Sequence, residues 1–396
     1  MFVLRKKVNR KNENFGAKRV TERGVNSDIF REKCGENMQS LKKIIYKVPI
    51  IDKLIKKWEK CNNEITKLRS ENKELKACIQ KMSFEVRRNE VFREIDNIHF
   101  RKVQRDMEAM CHPERSILKQ AHPLVSIIIV NHNGKSQLSK LLKSLHERTF
   151  YDNFEIIMVD NASEDESLDI IKEYQAVLPI KVIRNDENLS FSAANNIGAN
   201  YAEGEYLLFL NNDTEVTDGW LDELLLSALN NENVGAIGAT LVYPEIPNYS
   251  INKGKSYTIQ HEGIAFRDGI RENIRYWQPY NVNNGEELHA CMSREDHEWA
   301  CVTAAVLLVR KENFWLCEGF DEQYLYGYED VDFCLKLQKR GLRNYCCGNC
   351  LVFHYEFGTQ STDEPTVVRE RRARNMIIFR GKWQDYLQKR MEYKEA

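Results

Sequence analysis

Four short apolar runs, separated by segments of helical periodicity, most constrain what this chain can fold into. The runs lie at residues 125–130, 154–159, 180–183 and 206–210. Between the first two runs, leucines recur at helical spacing from Leu138 to Leu145. Strands that alternate with helices in this way are typical of a doubly wound, mostly parallel α/β sheet.

Polar residues follow each of these four predicted strands. They are Asn131 and His132, Asp160 and Asn161, Arg184 and Asn185, and Asn211 to Asp213. Ligands of open α/β sheets bind outside the carboxyl ends of the strands, so we expect these groups to lie at one edge. Asp213 is placed there to hold a hard divalent cation, which usually accompanies phosphates. An ordinary turn is the alternative interpretation of this Asn-Asn-Asp triplet.

Several classes of protein are disfavoured by the sequence. The chain lacks both the G-x-G-x-x-G of an NAD-type Rossmann site and the P-loop motif. A net charge of −1 over 396 residues gives no nucleic-acid signature. The 11 cysteines form no disulfide framework, and no apolar run approaches the ~20 residues of a membrane span or suits a signal peptide. We therefore expect a cytoplasmic protein that does not bind nucleic acid.

A heptad pattern over about five heptads predicts a coiled coil before the α/β region. Its seam is formed by Ile51, Leu54, Trp58, Cys61, Ile65, Leu68, Asn72, Leu75, Ile79, Met82 and Val86. Asn72 at an a position favours a parallel homodimer, because a buried asparagine pairs best with its own copy. A single helix that packs back on its own globular domain is the alternative.

The composition suggests four regions. They are a basic N-terminal segment at 1–48, a coiled-coil or helical region at 49–118, an α/β domain at 122–360 and a C-terminal helical extension at 361–396. The first region holds 13 Lys/Arg and 5 Asp/Glu, so its charge is 13 − 5 = +8. It could contact anionic lipid at the inner face of a membrane, or it could be a solvated tail.

Several stretches, in this order, carry a family resemblance. VSIIIVNHNG, VDNASEDES, NDENLSFSAANNIGANYAEGEYLLFLNNDTEV and the block from Glu298 to Gly341 resemble motifs of family 2 glycosyltransferases. These are inverting enzymes with the GT-A fold, and the chain is most similar to bacterial rhamnosyl- and galactofuranosyl-type polysaccharide transferases. The resemblance implies that a nucleotide-diphospho-sugar is the donor.

The resemblance also implies roles for individual residues. Asp330 would be the general base, beside Glu329, and Asp160 would accept a hydrogen bond from the nucleotide base, on which His132 would stack. A Mn²⁺ or Mg²⁺ ion would be held by Asp213, Asn211 and His354. The donor site would also include Val130, Asn131, Asn133, Asn188, Asn196, Asn212, Thr303 and Trp299. Trp299 could equally be a core tryptophan.

One base and one cation suffice for inverting transfer, because the leaving group is a diphosphate. The predicted function is transfer of a sugar to a glycan or lipid-linked acceptor. An inactive, transferase-like scaffold that works through its coiled coil is the alternative. A sugar nucleotidylyltransferase is a third interpretation. Enzymes of that class usually begin with a glycine-rich loop that ends in Arg, and residues 131–134 do not form such a loop.

Overall fold

The structure, a computed structural model, describes residues 49–113, 116–245, 255–271, 274–288, 294–325, 327–355 and 365–395. The basic segment predicted at 1–48 lies outside these ranges. None of the helices in the described part of the chain combines the length and apolar character needed to cross a membrane.

Helices and strands alternate through most of the described chain. The helices are α1 Pro49–Cys111, α2 Ile117–Ala121, α3 Lys135–Arg148, α4 Ser167–Tyr174, α5 Phe191–Tyr201, α6 Trp220–Asn230, α7 Lys311–Leu316, α8 Glu329–Lys339 and α9 Pro365–Glu395. The strands are β1 Val125–Asn131, β2 Phe154–Asp160, β3 Ile180–Arg184, β4 Tyr206–Leu210, β5 Thr214–Val216, β6 Val234–Val242, β7 Ile259–His261, β8 Ile264–Arg271, β9 Ile274–Asn281, β10 His297–Trp299, β11 Val306–Arg310 and β12 Arg343–His354.

One mixed sheet organises the fold. Its strand order is β10-β12-β6-β11-β4-β1-β2-β3, with β5 beside β12 and β7 beside β6, while β8 and β9 form a separate hairpin. Strands β4, β1, β2 and β3 are parallel, as are β6 and β12. Strand β11 runs antiparallel to both of its neighbours. The predicted α/β sheet is confirmed, with its parallel pairing concentrated in the half that the four apolar runs form.

The sheet is buried on both faces because its central strands are apolar throughout. Ile127 and Ile129 of β1 pack with residues of α3, α4 and α6 on one face. Ile128, which points to the opposite face, packs with residues of α5, α7, α8 and α9. A strand that is covered by helices on both faces has apolar residues at consecutive positions, so its sequence is a continuous apolar run.

Helix α1 is shared between two compact units, Met1–Ile79 and Gln80–Ala396. In the first unit the apolar residues of the predicted seam from Trp58 to Ile79 are exposed, with Trp58 66% and Leu75 61% accessible. Their pairing with a second chain stays a prediction.

In the second unit, a different stripe of α1 is buried. Val91 and Ile98 pack with Tyr257 of the α/β unit, and the Phe84 ring centroid lies 5.5 Å from that of Tyr257. Phe84 precedes the predicted seam residue Val86 by two positions, so the apolar face of the helix changes there. The part of α1 after Gln80 therefore packs on its own domain.

Helix α9 is held by a buried carboxylate of α8. Asp332 is fully buried and accepts hydrogen bonds at Oδ1 from Trp383 Nε1 (2.7 Å) and the Tyr324 hydroxyl (3.2 Å). Lys382 Nζ lies 2.5 Å from the same oxygen, and Lys336 Nζ lies 3.2 Å from Oδ2. A buried charge is stable only with such partners. Asp332 therefore fixes α9 against α8.

The packing of α1 on the domain can be tested with Val91→Ala. Val91 is fully buried, so losing two methyl groups should lower the free energy of unfolding by roughly 2 kcal/mol. Val103→Ala is the matched control, because Val103 lies in the same helix and is 40% accessible. Its effect should stay within about 0.5 kcal/mol. Equal effects of the two changes in urea unfolding would contradict this packing.

Candidate active site

The carboxyl ends of three parallel strands lie in one row. Asn131 of β1 is the Cα partner of Asp160 of β2, which in turn is the partner of Arg184 of β3. Strand β4 is paired on the other side of β1, and its end leads directly into Asn211. The edge predicted from the sequence is therefore formed.

Asp160 is a buried carboxylate whose hydrogen-bonding capacity is unused by the protein. It is fully buried, and within the described residues neither oxygen accepts a hydrogen bond. Arg184 Nε lies 3.5 Å from Oδ2. Because an ionised carboxylate buried without hydrogen bonds is costly, this group is suited to accept one from a ligand.

The loop after β1 is held to the loop after β2. His132 Nδ1 lies 2.8 Å from the Asn161 carbonyl oxygen, which orients a half-buried ring. Asn133 has a left-handed backbone (φ 50°), and its Oδ1 accepts a hydrogen bond from the Glu164 N–H (2.7 Å). The stacking of a nucleotide base on His132 stays a prediction, as does the role of neighbouring Val130.

Asn161 organises the loop that follows β3. Its Nδ2 donates to Asn188 Oδ1 (2.8 Å), and its Oδ1 accepts from Asn185 Nδ2 (2.9 Å) and the Leu189 N–H (3.1 Å). Asn188, a predicted donor-binding residue, is thus positioned by Asn161. The sequence had marked Asn161 only as a strand-end residue.

Two predicted donor-binding asparagines tie the ends of β1 and β4 together. Asn212 Nδ2 donates to Asn131 Oδ1 (2.8 Å), and Asn131 Nδ2 donates to Ser163 Oγ (3.2 Å). A Cβ atom at Gly134 would lie 2.4 Å from Asn131 Oδ1 and 2.5 Å from Asn212 Nδ2. Glycine is therefore required at 134 so that this contact can form.

Asn196 lies inside helix α5 and is engaged with a different loop. Its Nδ2 donates to the Phe320 carbonyl (2.9 Å) and to Glu322 Oε1 (3.0 Å), and its Oδ1 accepts from the Phe320 N–H (3.0 Å). The side chain holds the loop before α8. A direct role for Asn196 in donor binding stays a prediction.

The three predicted metal ligands are brought together. His354 Nε2 lies 3.1 Å from Asp213 Oδ1 and 3.5 Å from Asn211 Nδ2. Strand β12 delivers His354 because it pairs with β5, where His354 is the Cα partner of Thr214. His354 Nδ1 lies 2.7 Å from Gln260 Oε1, so a proton on Nδ1 leaves Nε2 to face Asp213.

This donor set fits a cation that takes its other ligands from a substrate. Asp213 and His354 supply one carboxylate and one imidazole, both suitable for Mn²⁺. No group of three or more His, Cys, Asp and Glu side chains able to hold a metal ion occurs in the described ranges. Cations that bind diphosphates commonly use only one or two protein carboxylates, with phosphate oxygens completing the shell.

Residues Thr303 to Ala305 connect this pair to the predicted base. The Ala305 carbonyl accepts a hydrogen bond from the Asn211 N–H (3.0 Å), and the Ala304 N–H donates to Asp330 Oδ2 (3.1 Å). The Thr303 N–H donates to His261 Nε2 (3.4 Å). One short segment therefore sets the spacing between the Asp213–His354 pair and Asp330.

His261 supports this segment as a neutral imidazole. It is buried, and burial together with the nearby His354 lowers its pKa to about 4, against a hydrogen bond with Asn281 that raises it. A neutral ring can accept at Nε2 from Thr303 while Nδ1, 3.2 Å from Asn281 Oδ1, donates. No sequence motif marks His261 or Gln260, because β7 is only three residues long.

Asp330 and Glu329 begin helix α8, as predicted. Burial raises the pKa of Asp330, whereas hydrogen bonds from the Ala304 and Val331 N–H groups and from Thr303 lower it. Burial, followed by the Asp330 charge, raises the pKa of Glu329 to about 8. At neutral pH Glu329 is therefore protonated, and Asp330 is the carboxylate available as a base.

Asp330 lines a cavity of about 640 Å³. Thr303, Tyr328, Asn281 of the β8–β9 hairpin and residues of α9 also line it. Trp299 lines a separate cavity of about 510 Å³, and a Cβ at Gly263 would lie 2.2 Å from its ring. The structure thus brings Thr303 beside Asp330 and gives Trp299 other neighbours.

The protonated state of Glu329 can be tested through the pH dependence of stability. Between pH 4.5 and about 8 the folded protein holds a proton that the unfolded chain has released, so stability falls as pH rises by about 1.4 kcal/mol per unit. Glu329→Gln should remove this loss. The melting temperature of the variant should therefore rise relative to that of wild type as the pH increases from 4.5 to about 8. Glu173→Gln, at an exposed site, controls for loss of a carboxylate. A difference that does not change with pH would show that Glu329 is ionised in the folded protein.

Comparison with known proteins identifies a family for this region. The family model described as Glycosyl transferase family 2 matches residues 126–286. The chain is 32% identical over 247 residues to the O-antigen biosynthesis protein RfbC of Myxococcus xanthus, covering 61% of this chain and 18% of that protein. It is 30% identical over 137 residues to an uncharacterized glycosyltransferase of Haemophilus influenzae, covering 35% and 44%.

Among solved structures, the chain resembles GalNAc-T7 with UDP, GalNAc and Mn²⁺ at a TM-score of 0.46 and 21% identity, covering 59% of this chain and 44% of that one. The chain spans less than half the length of each of these three proteins.

Proposed function

Because residues 126–286 form a Glycosyl transferase family 2 domain, we propose that this chain is an inverting glycosyltransferase. It moves a sugar from a nucleotide-diphospho-sugar to a hydroxyl of a glycan or lipid-linked acceptor. The observation that supports this most is the segment Thr303 to Ala305, which hydrogen-bonds to Asn211 on one side and to Asp330 on the other. These two hydrogen bonds fix the position of the candidate base relative to the proposed donor-binding edge.

In the proposed reaction, Asp330 takes the proton of the acceptor hydroxyl as the oxygen attacks the anomeric carbon. The bond from that carbon to the diphosphate breaks in the same displacement. The raised pKa of Asp330 makes it a stronger base than an ordinary aspartate.

Asp213 and His354 would hold the divalent cation, Mn²⁺ or Mg²⁺, which when bound stabilises the charge on the leaving diphosphate. Asp160, whose carboxylate oxygens accept no hydrogen bond from the described residues, would accept one from the nucleotide base. The predicted contacts of His132, Asn133, Asn188 and Thr303 complete the proposed donor site.

We also propose that the chain acts as a parallel dimer on the cytoplasmic face of a membrane. The exposed apolar seam from Trp58 to Ile79 supports the dimer, since such residues at heptad spacing are stabilised by a second helix. The charge of the N-terminal 48 residues suits a peripheral contact with anionic lipid. A catalytically inactive scaffold that uses the same seam is the second candidate, and it is favoured by Asn211 where many family members have aspartate.

The proposed base is tested with Asp330→Asn, which keeps the shape but cannot take a proton. Transfer should fall by at least about a hundredfold, measured as release of UDP or GDP with a panel of sugar nucleotides. Thermal stabilisation by the nucleotide with Mn²⁺ should be retained, because the donor edge is unchanged. Asp213→Ala should instead lose that stabilisation.

Asp385→Asn is the matched control for Asp330→Asn, since Asp385 is an exposed carboxylate on α9. Full activity of Asp330→Asn would exclude this base. A wild-type protein that is neither stabilised by nucleotide and Mn²⁺ nor able to release nucleotide from any sugar nucleotide would favour the scaffold.

The proposed dimer is tested with Asn72→Ile. In a parallel pair, loss of the asparagine should strengthen association while relaxing register and oligomer state, so sedimentation equilibrium should report higher or mixed oligomers. Asn63→Ile is the control, because Asn63 occupies an outward f position of the same heptads. A monomer in wild type and both variants would contradict the proposal.

A further inference from the structure

Helix α1 carries a second apolar stripe, which lies in the part of the helix that belongs to the α/β unit. It consists of Phe100, Val103, Met107 and Met110, whose side chains are between 40% and 74% accessible. Counted in sevens from Ile51, Phe100 and Met107 fall at a positions, and Val103 and Met110 fall at d positions. The second stripe therefore has the same heptad register as the predicted seam.

The α/β unit packs on the opposite side of α1. The buried residues of α1 in that unit are Val91, Glu94, Ile98 and Lys102, at heptad positions f, b, f and c. By contrast, every a and d position from Met82 to Met110 is exposed. Positions b, c and f point away from the partner in a two-stranded coiled coil, whereas a and d face it. The domain can therefore stay packed on α1 while a second helix occupies the a/d face.

Between the two stripes the a/d face is polar, at Asn89, Arg93 and Asp96. Polar core residues reduce the stability of a coiled coil but specify its register. In a parallel, in-register pair, Arg93 would lie one core layer from Asp96 of the second helix, so their charges are complementary. An antiparallel pair centred on these two residues would leave the seam from Ile51 to Leu75 beyond Cys111, where the second helix ends. Parallel pairing is therefore favoured.

The charges around the second stripe disfavour a lipid surface as its occupant. From residue 96 to 111, the exposed charged side chains are those of Asp96, Asp106 and Glu108. The two arginines of this stretch form ion pairs with buried carboxylates, and Lys102 is buried. Helices that bind anionic membranes instead present Lys and Arg on the polar face. A second copy of α1 is the occupant that the charge and the register both suit.

We propose that the second stripe pairs with the same stripe of a second copy, so that one parallel seam runs from Ile51 to Met110. This inference rests on the proposed dimer and adds that the contact includes the part of α1 on which the α/β domain packs. Each domain then lies on the outer face of its own helix. Because the domains are packed on the paired stretch itself, the two candidate active sites keep a fixed separation.

Disulfide formation at Val103→Cys tests this contact in the full-length chain. The background replaces Cys34, Cys61, Cys78, Cys111 and Cys291 with serine, so that the remaining described thiols are buried. Oxidation with copper phenanthroline should link Val103→Cys into a dimer, because d positions face each other in a parallel pair. Glu108→Cys, exposed at an outward b position, is the matched control and should stay unlinked. Equal linking at both positions would reflect random collision and overturn the proposal.

The energetic contribution of the second stripe is tested with Phe100→Gln/Met107→Gln. This change should raise the dimer Kd by roughly a hundredfold or more in sedimentation equilibrium. Val177→Gln/Ile377→Gln, which alters two exposed apolar side chains elsewhere, should leave the Kd unchanged. The small stability effect expected for Val103→Ala holds for the monomer, at concentrations well below this Kd.

An unchanged Kd for Phe100→Gln/Met107→Gln would overturn the proposal. So would a loss of monomer stability as large as that of Val91→Ala, because the stripe would then be covered within its own chain. Neither change touches the candidate active site, so the measurements do not depend on transfer.

A reporter in the first unit separates this inference from the proposed dimer. Restoring Cys61, an exposed d position, to the serine background reports pairing of the seam before Gln80. A link at Cys61 without one at Val103→Cys would leave the dimer standing and overturn the extension to Met110. Links at neither position, in a protein that sediments as a monomer, would reject both. A link at Val103→Cys supports the contact even if no sugar is transferred.

Discussion

The parallel register of β1 with β2 and β4 is the constraint on which the candidate site depends. It places Asn131 beside Asp160 and brings the end of β4 next to β1, where Asn212 bonds to Asn131. A shift of one residue would turn every side chain to the opposite face. Ile127 and Ile129 pack in one core and Ile128 in the other, so such a shift would exchange side chains between two cores of different shape. The packing that stabilises the sheet therefore also positions its polar edge.

The candidate base depends on contacts that begin far from it in sequence. Asp330 is fixed at Oδ2 by the Ala304 N–H, while Asp332, one position past Val331, is fixed by Trp383 and Lys382 of α9. Helix α8 is thus held at two carboxylates, one facing a cavity and one fully buried. Because a buried charge without partners is costly, loss of α9 would disturb α8 and the position of Asp330 together.

The sequence predicted those features that depend on local pattern. The α/β sheet and the preceding long helix are confirmed, because apolar runs and helical periodicity are visible in single segments. The family 2 resemblance agrees with the family model that matches residues 126–286. The proximity of Asp213 and His354 was expected only through the family resemblance, since it requires the pairing of β5 with β12. Gln260 and His261 lie in a three-residue strand between loops, where no periodicity can be read. The change of apolar face near Val86 was also missed, because both stripes repeat every seven residues and only tertiary packing distinguishes them.

The distribution of charge around Asp330 constrains how an acceptor can bind. Glu329 is neutral at pH 7, so the pair carries one negative charge at most in the vicinity of the attacking hydroxyl. Burial raises the pKa of Asp330, whereas the hydrogen bonds from the Ala304 and Val331 N–H groups and from Thr303 stabilise its charged form. Because Glu329 receives no such side-chain support and has the higher pKa, a proton shared by the pair resides on Glu329 first. Asp330 is therefore the member of the pair that can take the proton of an attacking hydroxyl.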